Sequence, residues 1–139
     1  MVAVERAARR VIIRCPVSAD TFAALIRGDF TSLESDPWAG RTLAAIRTHP
    51  VLGDFGLYRG VFEAAPGIEG FTPTAGATPV AGAPGRNTLS HAVTITTYLA
   101  AGADQSLAQA ALDALLAAHP WETPVIELDI EPCRLLSRG

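Results

Sequence analysis

Apolar positions in this chain recur with two periods, and the switches between them predict its elements. Residues 10–16 are a β-branched run closed by proline, which reads as a strand. Ser18 then stands as an N-cap with Asp20 in the first turn, ahead of Phe22, Leu25 and Ile26 at helical spacing, and Gly28 stops that helix. A second helix is predicted from Asp36-Pro37, because proline at the first helical position forfeits only an N–H that would lack a partner anyway. Trp38, Leu43 and Ile46 supply its apolar stripe, and His49-Pro50 ends it. Residues 56–65 read as a second strand with a glycine at its middle. Residues 66–85 follow as a loop with five glycines and four prolines, anchored by Ile68, Phe71 and Val80. Loops of that length in a compact domain are usually functional or disordered, and the apolar anchors favour an ordered excursion.

Residues 89–99 form a third strand, rich in β-branched side chains from Val93 to Thr97. Ser106 and Gln109 have capping-box spacing for a helix that runs to Ala118. Residues 124–131 alternate as a last strand with one wet face. The order β, helical region, β, long loop, β, α, β predicts an α+β, ferredoxin-like sandwich. It has a four-stranded antiparallel sheet, helices on one face, and the Gly/Pro loop between strands 2 and 3. Residues 1–139 are expected to form one domain. Ile12, Tyr58, Ile95 and Ile126 are too scattered for all to face the helices. The open face or a strand edge therefore calls for cover, and homo-oligomerisation is the usual remedy.

Composition narrows the classes. The formal charge is −3, and all eleven basic residues are arginine. Without lysine there is no phosphate-loop lysine and no Schiff-base lysine. The cluster Arg6, Arg9, Arg10, Arg14 is a weak anion footprint in a mildly acidic chain with few aromatics, so no nucleic-acid partner is expected. No apolar run approaches the ~20 residues of a bilayer span, and no signal peptide is expected. A cytoplasmic protein without a membrane partner follows as the expectation. Cys15 and Cys133 have no metal-binding spacing and are read as thiols, although paired strands could bring them face to face.

Candidate chemistry gathers at His119-Pro120-Trp121-Glu122-Thr123-Pro124, between the last helix and the last strand. Each proline biases the residue before it toward extended geometry, so the joint is largely fixed in advance. His119 and Glu122 lie three apart and are weak candidates for a divalent ion, but two ligands are too few for a tight site. The alternative is a corner that only fixes the fold, with Trp121 packing, Glu122 accepting backbone N–H groups, and a protonated His119 at the helix C-terminus. Ser90, His91 and Asp129 leave a hydrolase arrangement open, although no nucleophile elbow is present.

Two stretches resemble a known family. Gly67-Ile-Glu-Gly-Phe71-Thr-Pro73-Thr-Ala-Gly76-Ala77-Thr-Pro79-Val-Ala-Gly82-Ala-Pro-Gly85 resembles the Gly-x-Gly-x-Phe-x-Pro-x-x-Gly-Ala-x-Pro-x-x-Gly-x-x-Gly loop of the YqfO-type domain. That domain is the insert of the dinuclear-metal-centre hexameric protein family, and it also occurs alone. The joint is similar to that domain's His-Pro-Tyr-Glu-Glu-Pro and to the His-Pro-Tyr-Glu-Val-Pro of CutA-type proteins. Glu69 replaces a loop glycine, Trp121 replaces the tyrosine, and residues 31–47 are an addition.

The resemblance implies a PII-like or CutA-like fold and a homo-oligomer, a trimer before a dimer. It implies a non-enzymatic binding or regulatory module for a small molecule or divalent ion, with a purely structural or protein-interaction module as the alternative. It marks His119, Trp121, Glu122, Phe71 and Gly76 as ligand or subunit contacts. The parent family holds its two metals in domains outside the insert, so no cofactor, metal centre or hydrolase activity is implied for this chain.

Overall fold

A computed structural model describes residues 2–138. The elements in chain order are β1 (Ala3–Pro16), α1 (Ala19–Ile26), α2 (Ser32–Ser35), α3 (Ala39–Thr48), β2 (Glu63–Phe71), β3 (Thr88–Ala100), α4 (Gln105–Ala118), β4 (Val125–Leu128) and β5 (Cys133–Arg138). The sheet is antiparallel and five-stranded, ordered β2-β3-β1-β4, with β5 also pairing β1. β5, a strand not expected from the sequence, lies beyond the expected fourth strand, residues 124–131, which stops at Leu128. Asp129 follows that stop: its N–H donates to the Arg10 carbonyl while its carboxylate accepts the Arg10 N–H, and β5 pairs with the first half of β1.

Alternation decides the faces of the sheet. Val11, Ile13 and Cys15 on β1 and Val93, Ile95 and Leu99 on β3 are buried against Leu33, Leu43, Ile46 and Leu115 from the helices. All four helices contribute to this inner face, and Ile126 leans on the same core. Arg10, Ile12 and Arg14 point the other way, and Tyr58 leaves the sheet altogether in an exposed turn. Cys15 is in the core, where burial pushes its thiol up to about 12, and β1 pairs Cys133 with Ala8. The two thiols are free and lie at different levels of β1.

Several boundaries differ from expectation for identifiable reasons. β1 begins at Ala3 rather than near residue 10, because β5 pairs with an Ala- and Arg-rich stretch whose own propensity is not β. The second strand starts at Glu63 and runs to Phe71, through the start of the expected loop. Residues 56–62 turn instead, since Gly53, Gly56 and Gly60 all have positive φ. At Gly53 a Cβ would meet the Val61 backbone at 2.4 Å, so only glycine lets this turn close.

The segment 31–47 contributes α2 and most of α3. Its hub is Asp36, whose buried carboxylate accepts the backbone N–H groups of Ser18, Trp38 and Ala39 at 3.0 Å. Burial alone would push that carboxyl up, but these hydrogen bonds hold it low. Asp36 therefore ties the start of α1 to the start of α3. α4 is capped by Asp104, which accepts from Leu107 N, while Ser106 donates its hydroxyl to the same carboxylate rather than serving as the cap. No helix among the described residues is long and apolar enough to cross a membrane.

Candidate functional site

The site forms where a strap, residues 72–87, returns to the joint after α4. Proline and glycine shape the strap from within: Gly85 N donates to Pro73 O at 2.7 Å, and the Thr72 hydroxyl donates to Asn87 at 2.6 Å. Gly82 sits at φ +82°, where a Cβ would meet the Thr88 hydroxyl at 2.3 Å. Sterics demand glycine there. Gly76 has no such constraint, since a Cβ would meet nothing within 4 Å.

His119 ends α4 in an extended conformation, as a residue before proline must. The residue is only 6% exposed. Nδ1 accepts the Trp121 N–H at 3.2 Å, and Nε2 lies 2.7 Å from the Arg14 carbonyl oxygen. A backbone N–H can only donate, so Nδ1 is unprotonated and the single ring proton sits on Nε2, donated to Arg14. Burial pushes the imidazole pKa down, partly opposed by that carbonyl. The ring is thus neutral and tied to β1, which differs from the protonated helix cap expected from sequence. With both nitrogens engaged, it offers no lone pair to a metal in this arrangement.

Trp121 packs edge-on against Phe71, with ring centroids 4.9 Å apart. Its indole N–H is buried and meets no acceptor among the described residues. Glu122 points away from His119 and latches the strap, accepting the Thr78 N–H at 2.8 Å and the Thr78 hydroxyl. Those two bonds, the hydroxyl's first, hold its carboxyl below the usual range. Beneath the latch is a cleft of about 210 Å³, lined by Phe71, Pro73, Ala77, Thr78, Trp121 and Glu122. The geometry therefore joins Phe71, Trp121 and Glu122 at one cleft. His119 stands behind as their support, and Gly76 is next to the cleft-lining Ala77 but outside the lining.

Sequence reasoning missed Glu69 as a feature of this region. It lies on the outer side of β2 opposite Ser90, two residues before Phe71, and one carboxylate oxygen is buried without a hydrogen-bond donor. Burial pushes its pKa up, and the nearby Arg14 charge only partly offsets this. Gly67, Glu69 and Phe71 share one face of β2, so a carboxylate sits in the same row as the cleft's aromatic ring, but that row exists only because β2 runs on through residues expected as loop. Arg14 itself pairs with Glu127 at 2.7 Å. Ser90, His91 and Asp129 do not converge. Adjacent strand residues face opposite sides, His91 lies against Phe22, and Asp129 is held by Arg10. Among the described residues no group of three or more His, Cys, Asp or Glu side chains is placed to hold a metal.

No family model matches the sequence, and neither does any curated protein. The fold does have a counterpart among solved structures: the crystal structure of a Bacillus cereus protein related to NIF3 superposes with a TM-score of 0.58 over 94% of this chain, at 19% sequence identity. This chain covers 26% of that longer protein. At such identity the likeness is one of fold.

Proposed function

We propose that the chain is a non-enzymatic binding or regulatory module of the PII-like and CutA-like kind, acting as a homo-oligomer. Its ligand, a small molecule or an ion, occupies the cleft between the strap and the joint. The observation that carries this reading is the latch. One carboxylate, Glu122, holds the strap through two bonds from Thr78, over a cleft walled by the Phe71–Trp121 pair. A ligand that pairs with Glu122 or with the strap's freed N–H groups exchanges one set of contacts for another, so binding moves the strap. The ferredoxin-like reading is supported by the order β4-β1-β3-β2 with every helix on one face, β5 being an extension of the β4 edge. A trimer is supported by the free edge of β2 and the uncovered outer face.

The alternative, a purely structural or protein-interaction module, is favoured by the ribbon of β1 and β5. Val4 and Leu136 are exposed there, beyond the end of β3. A thermal-shift panel of divalent cations, mononucleotides and small carboxylic acids separates the readings, because a ligand that binds only the folded state raises its melting temperature. The binding reading expects at least one compound to shift the wild type and to lose that effect in Thr78→Val and Trp121→Ala. Light scattering on the same samples reads the assembly. A monomer, with no shift from any class, would reject the binding reading.

A further inference from the structure

A second and larger concavity lies on the opposite face, well away from the strap. We propose that the pocket between α2 and the edge strand β2 is a binding site for a neutral, largely apolar small molecule of two to three rings' bulk. Its volume is about 400 Å³. A concavity of this size is in the range of small-molecule sites rather than a packing fault.

The floor is the inner face of the sheet at Val93 and Ala64, the wall is Leu33 and Leu43, and Phe30 and Phe62 flank the opening. Ala64 is opposite Ile95, on the helix side, yet it is exposed at the pocket. The segment 31–47 supplies Leu33 and Leu43 of that wall, and Leu25 of α1 adds to it.

The charge at the mouth selects the ligand. Glu34 is the one ionisable group in the lining, and both its oxygens are taken by Arg47, at 2.5 and 2.7 Å. The Arg47 guanidinium also sits 5.8 Å from the Phe62 ring centroid. One arginine thus neutralises the only charge and steadies one lip, so the opening is built in advance and electrically closed. The Thr31 hydroxyl donates to Asp29 at 2.8 Å, which leaves its oxygen free to accept. An ion finds no unpaired partner in this lining. A neutral molecule with at most one hydrogen-bond donor loses nothing by entering, and Phe30, 72% exposed, gains the cover it lacks.

N-phenyl-1-naphthylamine, a neutral fluorophore of suitable bulk with a single N–H, is the probe. Titration into the wild type is expected to give saturable, one-to-one enhancement. Ala64→Phe fills the pocket from an exposed position, and Phe30→Ala removes a lip without touching the core. Each should weaken binding at least tenfold while circular dichroism and the melting temperature hold. Trp121→Ala, at the other site, should leave probe binding unchanged. The anionic analogue 8-anilinonaphthalene-1-sulfonate should bind at least tenfold more weakly. Absence of saturable binding to the wild type, equal affinity for the anionic dye, or indifference to both pocket variants overturns the proposal. So does an Ala64→Phe protein that changes its assembly state while the wild type binds no probe, since a second copy would then be the occupant.

Discussion

The two faces of the sheet are built on different physics. The inner face is a continuous apolar surface from Val11 to Leu99, closed by four helices, in which contacts are numerous and individually non-directional. The outer face is held by a few directed polar contacts: Arg14 to Glu127, Arg10 to Asp129, His119 to the Arg14 carbonyl and Thr78 to Glu122. A face built on many equivalent contacts fails by losing volume. A face built on few directed ones fails by losing a geometry or a charge state. The inner face therefore sets the stability of the fold, and the outer face sets what the fold can respond to.

Substitutions sharpen the contrast. Ile13→Ala opens a cavity in the fully buried centre of β1 and should cost about 4 kcal/mol, read by urea denaturation. Trp121→Ala removes the largest packed group of the outer face. Because the ring is only half-buried, the expected cost is smaller, about 2 kcal/mol. The more telling readout is the strap. Hydrogen exchange in residues 74–86 should quicken in Trp121→Ala and stay at the wild-type rate in Ile13→Ala once the global loss is subtracted. Equal acceleration in both variants would mean that the faces are not separable.

The inner face was largely legible in the sequence, because burial there follows period. Val93, Ile95, Leu43, Ile46 and the stripe of α4 announce themselves by spacing alone. The joint was legible as a rigid corner, since proline acts on its neighbours locally. Other features depend on partners distant in sequence. The pairing of β5 with β1, the neutral tautomer of His119 set by Arg14, and the buried oxygen of Glu69 cannot be derived from local pattern. The strand expected over 56–65 forms only from Glu63, because the glycine at its middle belongs to a turn and not to a bulge within a strand. Positive φ at Gly56 and Gly60 turns the chain before Val61 and Phe62 can extend it.

A change of pH acts on the two faces unequally, and His119 is the reason. Burial lowers its folded pKa below the ordinary 6.5, so the folded state resists a proton that the unfolded chain accepts. The stabilisation it contributes is therefore complete above 6.5 and is lost as pH falls through 6.5 toward the lower folded value. Protonation also places a hydrogen on Nδ1, where Trp121 N–H already donates, so the joint is the first place to open. The melting temperature of the wild type should fall more steeply than that of His119→Gln between pH 7.5 and 5.5, and strap exchange should quicken over the same interval. Parallel curves for the two proteins would show that the imidazole is not the sensor.

The smallest effect has the opposite sign, which makes it diagnostic. Glu69 is raised rather than lowered, because burial outweighs the attraction of Arg14. Between the ordinary 4.5 and its raised folded value, the folded state binds the proton more tightly than the unfolded chain. Stability therefore declines as pH rises through that window, and above it the full cost of a partly buried charge remains. Glu69→Gln keeps the shape and removes the charge. It should raise the melting temperature slightly at pH 7 and make no difference near pH 4, where the wild-type carboxyl is already protonated. A glutamine variant less stable than the wild type at pH 7 would mean that the carboxylate serves the outer face through its attraction to Arg14. Glu69 would then belong with the directed contacts that hold the strap side together, and its buried oxygen would not be a burden on the fold.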